Sequence, residues 1–172
     1  MRNRSVSQEQ ALVAAMVEAF PRQIAVGGPG SVLLAQKTGW TAVHGEPLPQ
    51  ANVILLFEPE AIAVLAGPPA APLAPGQTIS PVYGQVGSDE LAVPTGALFL
   101  RVRQGDRAKD HRAALEQAGC RIASLPDHAP EAAWLRASSG SIADALGCLD
   151  RLRDLPGVES VEPQLLRRRA LR

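Results

Sequence analysis

SIADALGCLDRLRDLPGVESVEPQ, residues 141–164, spells out a helix, a turn and a strand in succession. Ile142, Ala145, Leu146, Leu149, Leu152 and Leu155 recur at helical spacing and predict one continuous apolar face. Asp144, Asp150, Arg151 and Arg153 fall largely off that face. Ser139 or Ser141 is placed to cap the start, where the first backbone N–H groups lack partners. Pro156-Gly157 ends the helix, because proline cannot continue it and glycine tolerates the reversal. Val158-Glu159-Ser160-Val161-Glu162 then alternates apolar and polar, as a half-buried strand does, and Pro163 closes it.

Working back from this stretch, Pro94-Thr95-Gly96 leads into a strand over residues 97–103. Asp106 caps a helix running to Ala118, and Gly119 is the glycine expected just past a helix end. Residues 120–125 form a strand, 126–130 a turn and 132–137 a second strand, whose Trp134 is a core or interface aromatic. Residues 97–163 thus read β-α-β-β-α-β, the order of the ferredoxin-like split βαβ motif. The fold class is α+β: a ferredoxin-like antiparallel sheet with two helices, preceded by a small α+β region over residues 1–77.

In that first region Ser7-Gln8-Glu9-Gln10 reads as a capping box. Leu12, Val13, Met16, Val17 and Phe20 then line a helix face that Pro21 ends. Residues 23–26 predict a short strand and 27–30 a loop. Residues 31–37 fit helix or strand equally, and 39–43 fit a strand. Strands follow over 52–57 and 62–65. The proline-rich GPPAAPLAPG, residues 67–76, is a loop or linker. Residues 78–83 are extended, and Gly87-Ser88-Asp89 marks a turn.

The chain has 172 residues, 46 % of them apolar, enough to bury a core. Its 17 basic and 17 acidic residues give a formal net charge of zero, so the total argues for neither nucleic acid nor an anionic membrane. Aromatics at 3 % also weaken a base-stacking function. Cys120 and Cys148 are too few for a disulfide framework and too far apart in sequence for a compact metal motif. They read as small buried hydrophobes in a reducing compartment. No secretory leader or membrane-length apolar run is visible, so the sequence reads as cytoplasmic.

As an enzyme the chain is poor, and no cofactor or metal is expected. His44, His111 and His128 stand in no recognisable triad or metal pattern. His111 falls on a helix surface and His128 in a turn, which points to solvent exposure for both. Cys148 lies mid-helix beside the apolar face, where packing outweighs nucleophilic chemistry. The Gly27-Gly28-Pro29-Gly30-Ser31 loop has the shape of a phosphate cradle but lacks the lysine of a P-loop and the spacing of a dinucleotide loop, so a plain turn is the better reading.

Leu155-Pro156-Gly157-Val158-Glu159-Ser160-Val161-Glu162-Pro163 resembles the end of the propeptide domain of subtilisin-like serine proteases. There a helix ends in a Pro-Gly-Val-like turn and the last strand carries a Val-Glu-Pro-like signature. Pro81-Val82-Tyr83 followed by Val93-Pro94-Thr95-Gly96 resembles the junction before such propeptides in longer bacterial subtilases. The resemblance covers residues 78–164 and singles out Pro156, Gly157, Val158, Val161, Glu162 and Pro163. Residues 1–77 match less well, and fit at most a degenerate first copy of the unit.

The resemblance implies a partner, a subtilisin-like serine protease encoded nearby or in the same precursor. Such propeptides cover the protease's surface helices with their sheet and send a C-terminal tail into its active-site cleft, acting as inhibitors and folding chaperones. No protease domain follows here, so the expectation is action in trans or a released pro-part. Residues 165–172, Leu165, Leu166, Arg167, Arg168, Arg169, Ala170, Leu171 and Arg172, would be the cleft-binding tail. Its four arginines fit a solvated basic terminus equally well. The alternative is a ferredoxin-like interaction or adaptor module that binds no protease.

Overall fold

The computed structural model describes residues 3–28 and 30–167. Among them the chain is α+β, with nine strands and four α-helices in the order α1 (Asn3–Glu18), β1 (Gln23–Val26), β2 (Val32–His44), β3 (Val53–Phe57), β4 (Ile62–Ala66), β5 (Thr78–Gly84), β6 (Ala92–Val102), α2 (Arg112–Gln117), β7 (Cys120–Ser124), β8 (Ala132–Ala137), α3 (Ile142–Gly147), α4 (Leu149–Arg153) and β9 (Val158–Arg167). No described helix is long and apolar enough to cross a membrane. Two compact units are present. The first takes in the described residues of Met1–Gln23, Leu34–Val93 and Leu166–Arg172; the second takes in Ile24–Leu33 and Pro94–Leu165. The division falls inside β6, later than the expected boundary after residue 77.

In the first unit, β3-β4-β2-β5 pair in that order, all antiparallel. Side chains alternate across the sheet, so Val43, Ala63, Leu65 and Ile79 form one buried cluster, which Val13, Met16 and Val17 of α1 cover. Ala42, Ile62, Val64, Val82 and Val93 form another, with Trp40, Leu55, Phe57 and Leu166 against it. Leu12, placed by periodicity on the buried face of α1, is 61 % exposed. The helix also starts earlier than expected. Ser7 to Gln10 lie inside α1, since serine, glutamine and glutamate interrupt no helix. β2, Val32–His44, is one long strand where the sequence suggests two segments. Gly39, at φ +83°, sits where the register to β5 shifts between Gln36 and Thr41, so the glycine marks an irregularity in a strand instead of its end.

The second unit follows β6-α2-β7-β8-α3-α4-β9. Its strands pair in the order β9-β6-β8-β7, with β6–β8 and β7–β8 antiparallel. α2 packs on β7 and α3 on β8. Leu98, Leu100, Leu115, Leu135, Leu152 and Val161 are fully buried.

Four local expectations need correction. β6 starts at Ala92 and runs through Pro94. Its register with β5 is Tyr83↔Ala92, so the proline, which has no N–H to donate, lies past that pairing. The helix expected from Asp106 is a 3-10 turn, Ala108–His111, followed by the shorter α2, with His111 and not Asp106 at the cap. The helix of residues 142–155 breaks at Cys148, whose N–H is shared between the carbonyls of Asp144 and Ala145 at 3.0 and 3.2 Å. Gly147, a poor helix residue, immediately precedes the break. Finally, β9 does not stop at Pro163. Among the described residues it pairs with β6 alone, and an edge strand tolerates proline, so it continues to Arg167.

Candidate functional site

The Pro156-Gly157 turn has the geometry its residues demand. Val158 N–H donates to the Leu155 carbonyl at 3.2 Å, and Gly157 sits at φ +83°. A positive φ at the third position, after proline, is the type II pattern. Gly157 O accepts from Arg103 N–H at 2.9 Å, tying the turn to the end of β6. A Cβ on Gly157 would lie 2.7 Å from Cε1 of His111. His111 is therefore half-buried against this turn rather than on an open helix surface, with Nε2 4.0 Å from the Asp106 carboxylate. Gly157→Ala is expected to cost about 2 kcal/mol or more, combining the left-handed backbone with the clash. Chemical denaturation reads it, and an unchanged midpoint would mean the turn relaxes freely. At the other end of the stretch, Ser141 is the cap: its Oγ accepts from Asp144 N–H at 3.2 Å.

Of the motif residues, Val161 and Pro163 are buried, and Val158 and Glu162 are half-buried. The Glu162 carboxylate accepts from Gly27 N–H at 2.8 Å. A carboxylate thus holds the Gly27 N–H and would repel an anion there, in keeping with the plain turn preferred from sequence.

The tail residues divide. Gln164 is held by Thr95, whose Oγ1 donates to its Oε1 at 2.8 Å. Leu165, Leu166 and Arg167 belong to β9. Leu166 packs on the Val82 and Val93 cluster, and Arg167 pairs with Glu90 at 3.2 Å. These three residues are thus engaged within the chain, not a loose extension. Arg168, Arg169, Ala170, Leu171 and Arg172 lie outside the described residues.

Sheet register assembles a group that sequence order scatters. Phe99 is opposite Trp134, flanked by Leu98↔Leu135 and Leu100↔Ala133. Arg121 is opposite Arg136. Because side chains alternate, the leucines share the buried face while Phe99, Trp134, Arg101, Arg121 and Arg136 share the other. The two rings are tilted at 57° with centroids 4.9 Å apart, and both are half-buried. The three arginines are exposed, and none is in a salt bridge among the described residues. Two like charges directly across a ladder cost stability, so Arg121 and Arg136 violate a local rule. Such violations concentrate where a chain serves something other than its own folding. Alternation marks each strand's outward positions, but only the register shows that these five share one stretch of one face.

The remaining polar features are internal. His44 Nε2 lies 2.8 Å from Ser80 Oγ. Ser80 is fully buried, and its hydroxyl donates to the Pro81 carbonyl at 3.1 Å. Which of the two groups donates to the other follows the tautomer of the imidazole. Burial pushes the His44 imidazole down to about 4. His128 is exposed in its turn, as expected. No cluster of three or more metal-ligating side chains occurs among the described residues. A cavity of about 490 Å³ under α1 is lined by Leu12, Met16 and the proline-rich loop, and involves no candidate site residue. Scanning protein-family models and searching curated proteins and solved structures yields no match to this chain.

Proposed function

We propose that the second unit is a ferredoxin-like, subtilase-propeptide-like module, and that the protein binds a subtilisin-like serine protease as inhibitor, folding chaperone or both. The observation that supports this most is the strand order β9-β6-β8-β7 in a β-α-β-β-α-β chain, with the Leu155 to Val158 turn feeding the last strand. The Phe99 and Trp134 face is the docking surface in this reading. An aromatic centre rimmed by arginine is the anatomy of a protein–protein hot spot. Binding by this face places the partner on the sheet, and the chain itself performs no chemistry.

The tail plays a smaller part than residues 165–172 suggested at first. Leu166 and Arg167 are held in β9, so only the residues after Arg167 are left for the cleft unless the strand end is released. The same engagement favours, as a second reading, an adaptor module that uses the sheet face alone and binds no protease.

The experiment is titration of a subtilisin-like protease with the full chain, with Arg101→Glu/Arg136→Glu, and with a chain lacking residues 168–172. Stoichiometric inhibition is expected, weakened at least about tenfold by the charge reversal. The truncation should weaken it less, and mainly at low salt. No inhibition by any form, with the protein left intact, would leave the adaptor reading standing.

A further inference from the structure

Cys120 and Cys148 are both buried and free, and the fold sets the Cys148 sulfur against the two residues that lead into Cys120. Cys120 opens β7, directly after the Gly119 turn at φ +90°. Cys148 occupies the break between α3 and α4. Its thiol donates to the Ala118 carbonyl at 3.2 Å, and a Cβ on Gly119 would lie 3.4 Å from its Sγ. The Cys148 sulfur therefore rests on the two residues that precede Cys120. Arg151, one helical turn on, directs Nη2 at the same sulfur from 3.2 Å. Cys120 is pushed up to about 12, first by burial and then by the nearby Cys148.

We propose that Cys120 and Cys148 are a dithiol–disulfide pair, in which Cys148 reacts first and Cys120 resolves it. The placement assigns the roles. Cys148 has a guanidinium against its sulfur and sits at a helix break, where local opening admits a small oxidant. Cys120, held as a thiol inside the sheet, waits beside it. With hydrogen peroxide, the Cys148 sulfur attacks one oxygen, the O–O bond breaks, and the departing hydroxide takes the Cys148 thiol proton to become water. The Cys120 sulfur then attacks the Cys148 sulfenic acid. The S–S bond forms, the S–O bond breaks, and the leaving hydroxide takes the Cys120 proton as a second water. Two thiols and one peroxide give one disulfide and two waters. The link would pin β7 to the α3–α4 break and stabilise this unit, since it closes a loop that contains β8 and α3.

The test is intact-mass and peptide mapping of the reduced full chain after hydrogen peroxide, in buffer without denaturant. A monomer lighter by about 2 Da, for two hydrogens lost, is expected, with Cys120 and Cys148 peptides joined and the change reversed by reductant. Cys120→Ser should instead leave a sulfenic acid on Cys148 that dimedone traps, with circular dichroism confirming that this conservative variant folds. Arg151→Gln should slow disulfide formation about tenfold. Both thiols remaining alkylatable, a bond between two chains, or a bond that forms only in denaturant would overturn the proposal.

Discussion

Leu149→Ala is expected to cost about 2–5 kcal/mol, the range for truncating a buried leucine. Leu149 is 4 % exposed and is the first residue of α4, just past the break at Cys148. With Leu146 and Leu152 it forms the buried stripe of the two short helices. Neither helix is long enough to be stable alone, so packing must supply the stability. The effect should appear in the transition followed by Trp134, which belongs to the same unit, in a Trp40→Phe background that silences the other tryptophan. Val86→Ala is the control, since Val86 is 83 % exposed and should change stability little. A Leu149→Ala cost near zero would mean that α4 does not pack as described.

His44 should make the protein acid-sensitive well above the usual carboxylate range. Its imidazole titrates near 6.5 when exposed and about 4 in the fold, because burial disfavours the charged form. Between those values the unfolded chain binds the extra proton, so stability rises with pH across this window. The contribution is complete above about pH 6.5 and is lost as pH falls toward 4, amounting to about 3 kcal/mol. Urea midpoints at pH 7.5, 6 and 5 measure it. A falling midpoint is expected, and the slope should flatten in His44→Asn, which cannot take up a proton. A wild-type midpoint that stays level from pH 7.5 to 5 would contradict the burial of a neutral imidazole.

Much of the fold is legible in the chain because its punctuation acts locally. Ser141 caps, Gly119 takes the left-handed backbone, and Pro156-Gly157 makes the turn, each for reasons confined to a few neighbouring residues. The misreadings arise where tertiary context overrides such signals. Pro94 and Pro163 look like strand ends, yet both lie inside strands. Cys148 carries no breaker signal of its own, yet the helix divides there. Leu166 and Arg167 read as part of the basic tail, yet both belong to β9, with Leu166 against Val82 and Val93.

The candidate site was less legible for the same reason. Phe99 and Trp134 are 35 positions apart, and their pairing depends on the register of β6 on β8. The contact of His44 with Ser80 depends likewise on the register of β2 on β5. Trp134 stood out in the sequence as a core or interface aromatic, but Arg101, Arg121 and Arg136 did not. An arginine at an outward strand position is ordinary until its neighbours across the ladder are known.

The most direct test of the central claim is hydrogen exchange of the full chain with and without a subtilisin-like protease whose catalytic serine is replaced by alanine, so that neither partner is digested. The account predicts a stable complex, with added protection in β6 and β8 around Phe99 and Trp134 that is lost in Arg101→Glu/Arg136→Glu. No complex, or a complex whose protection lies wholly outside those strands, would contradict it.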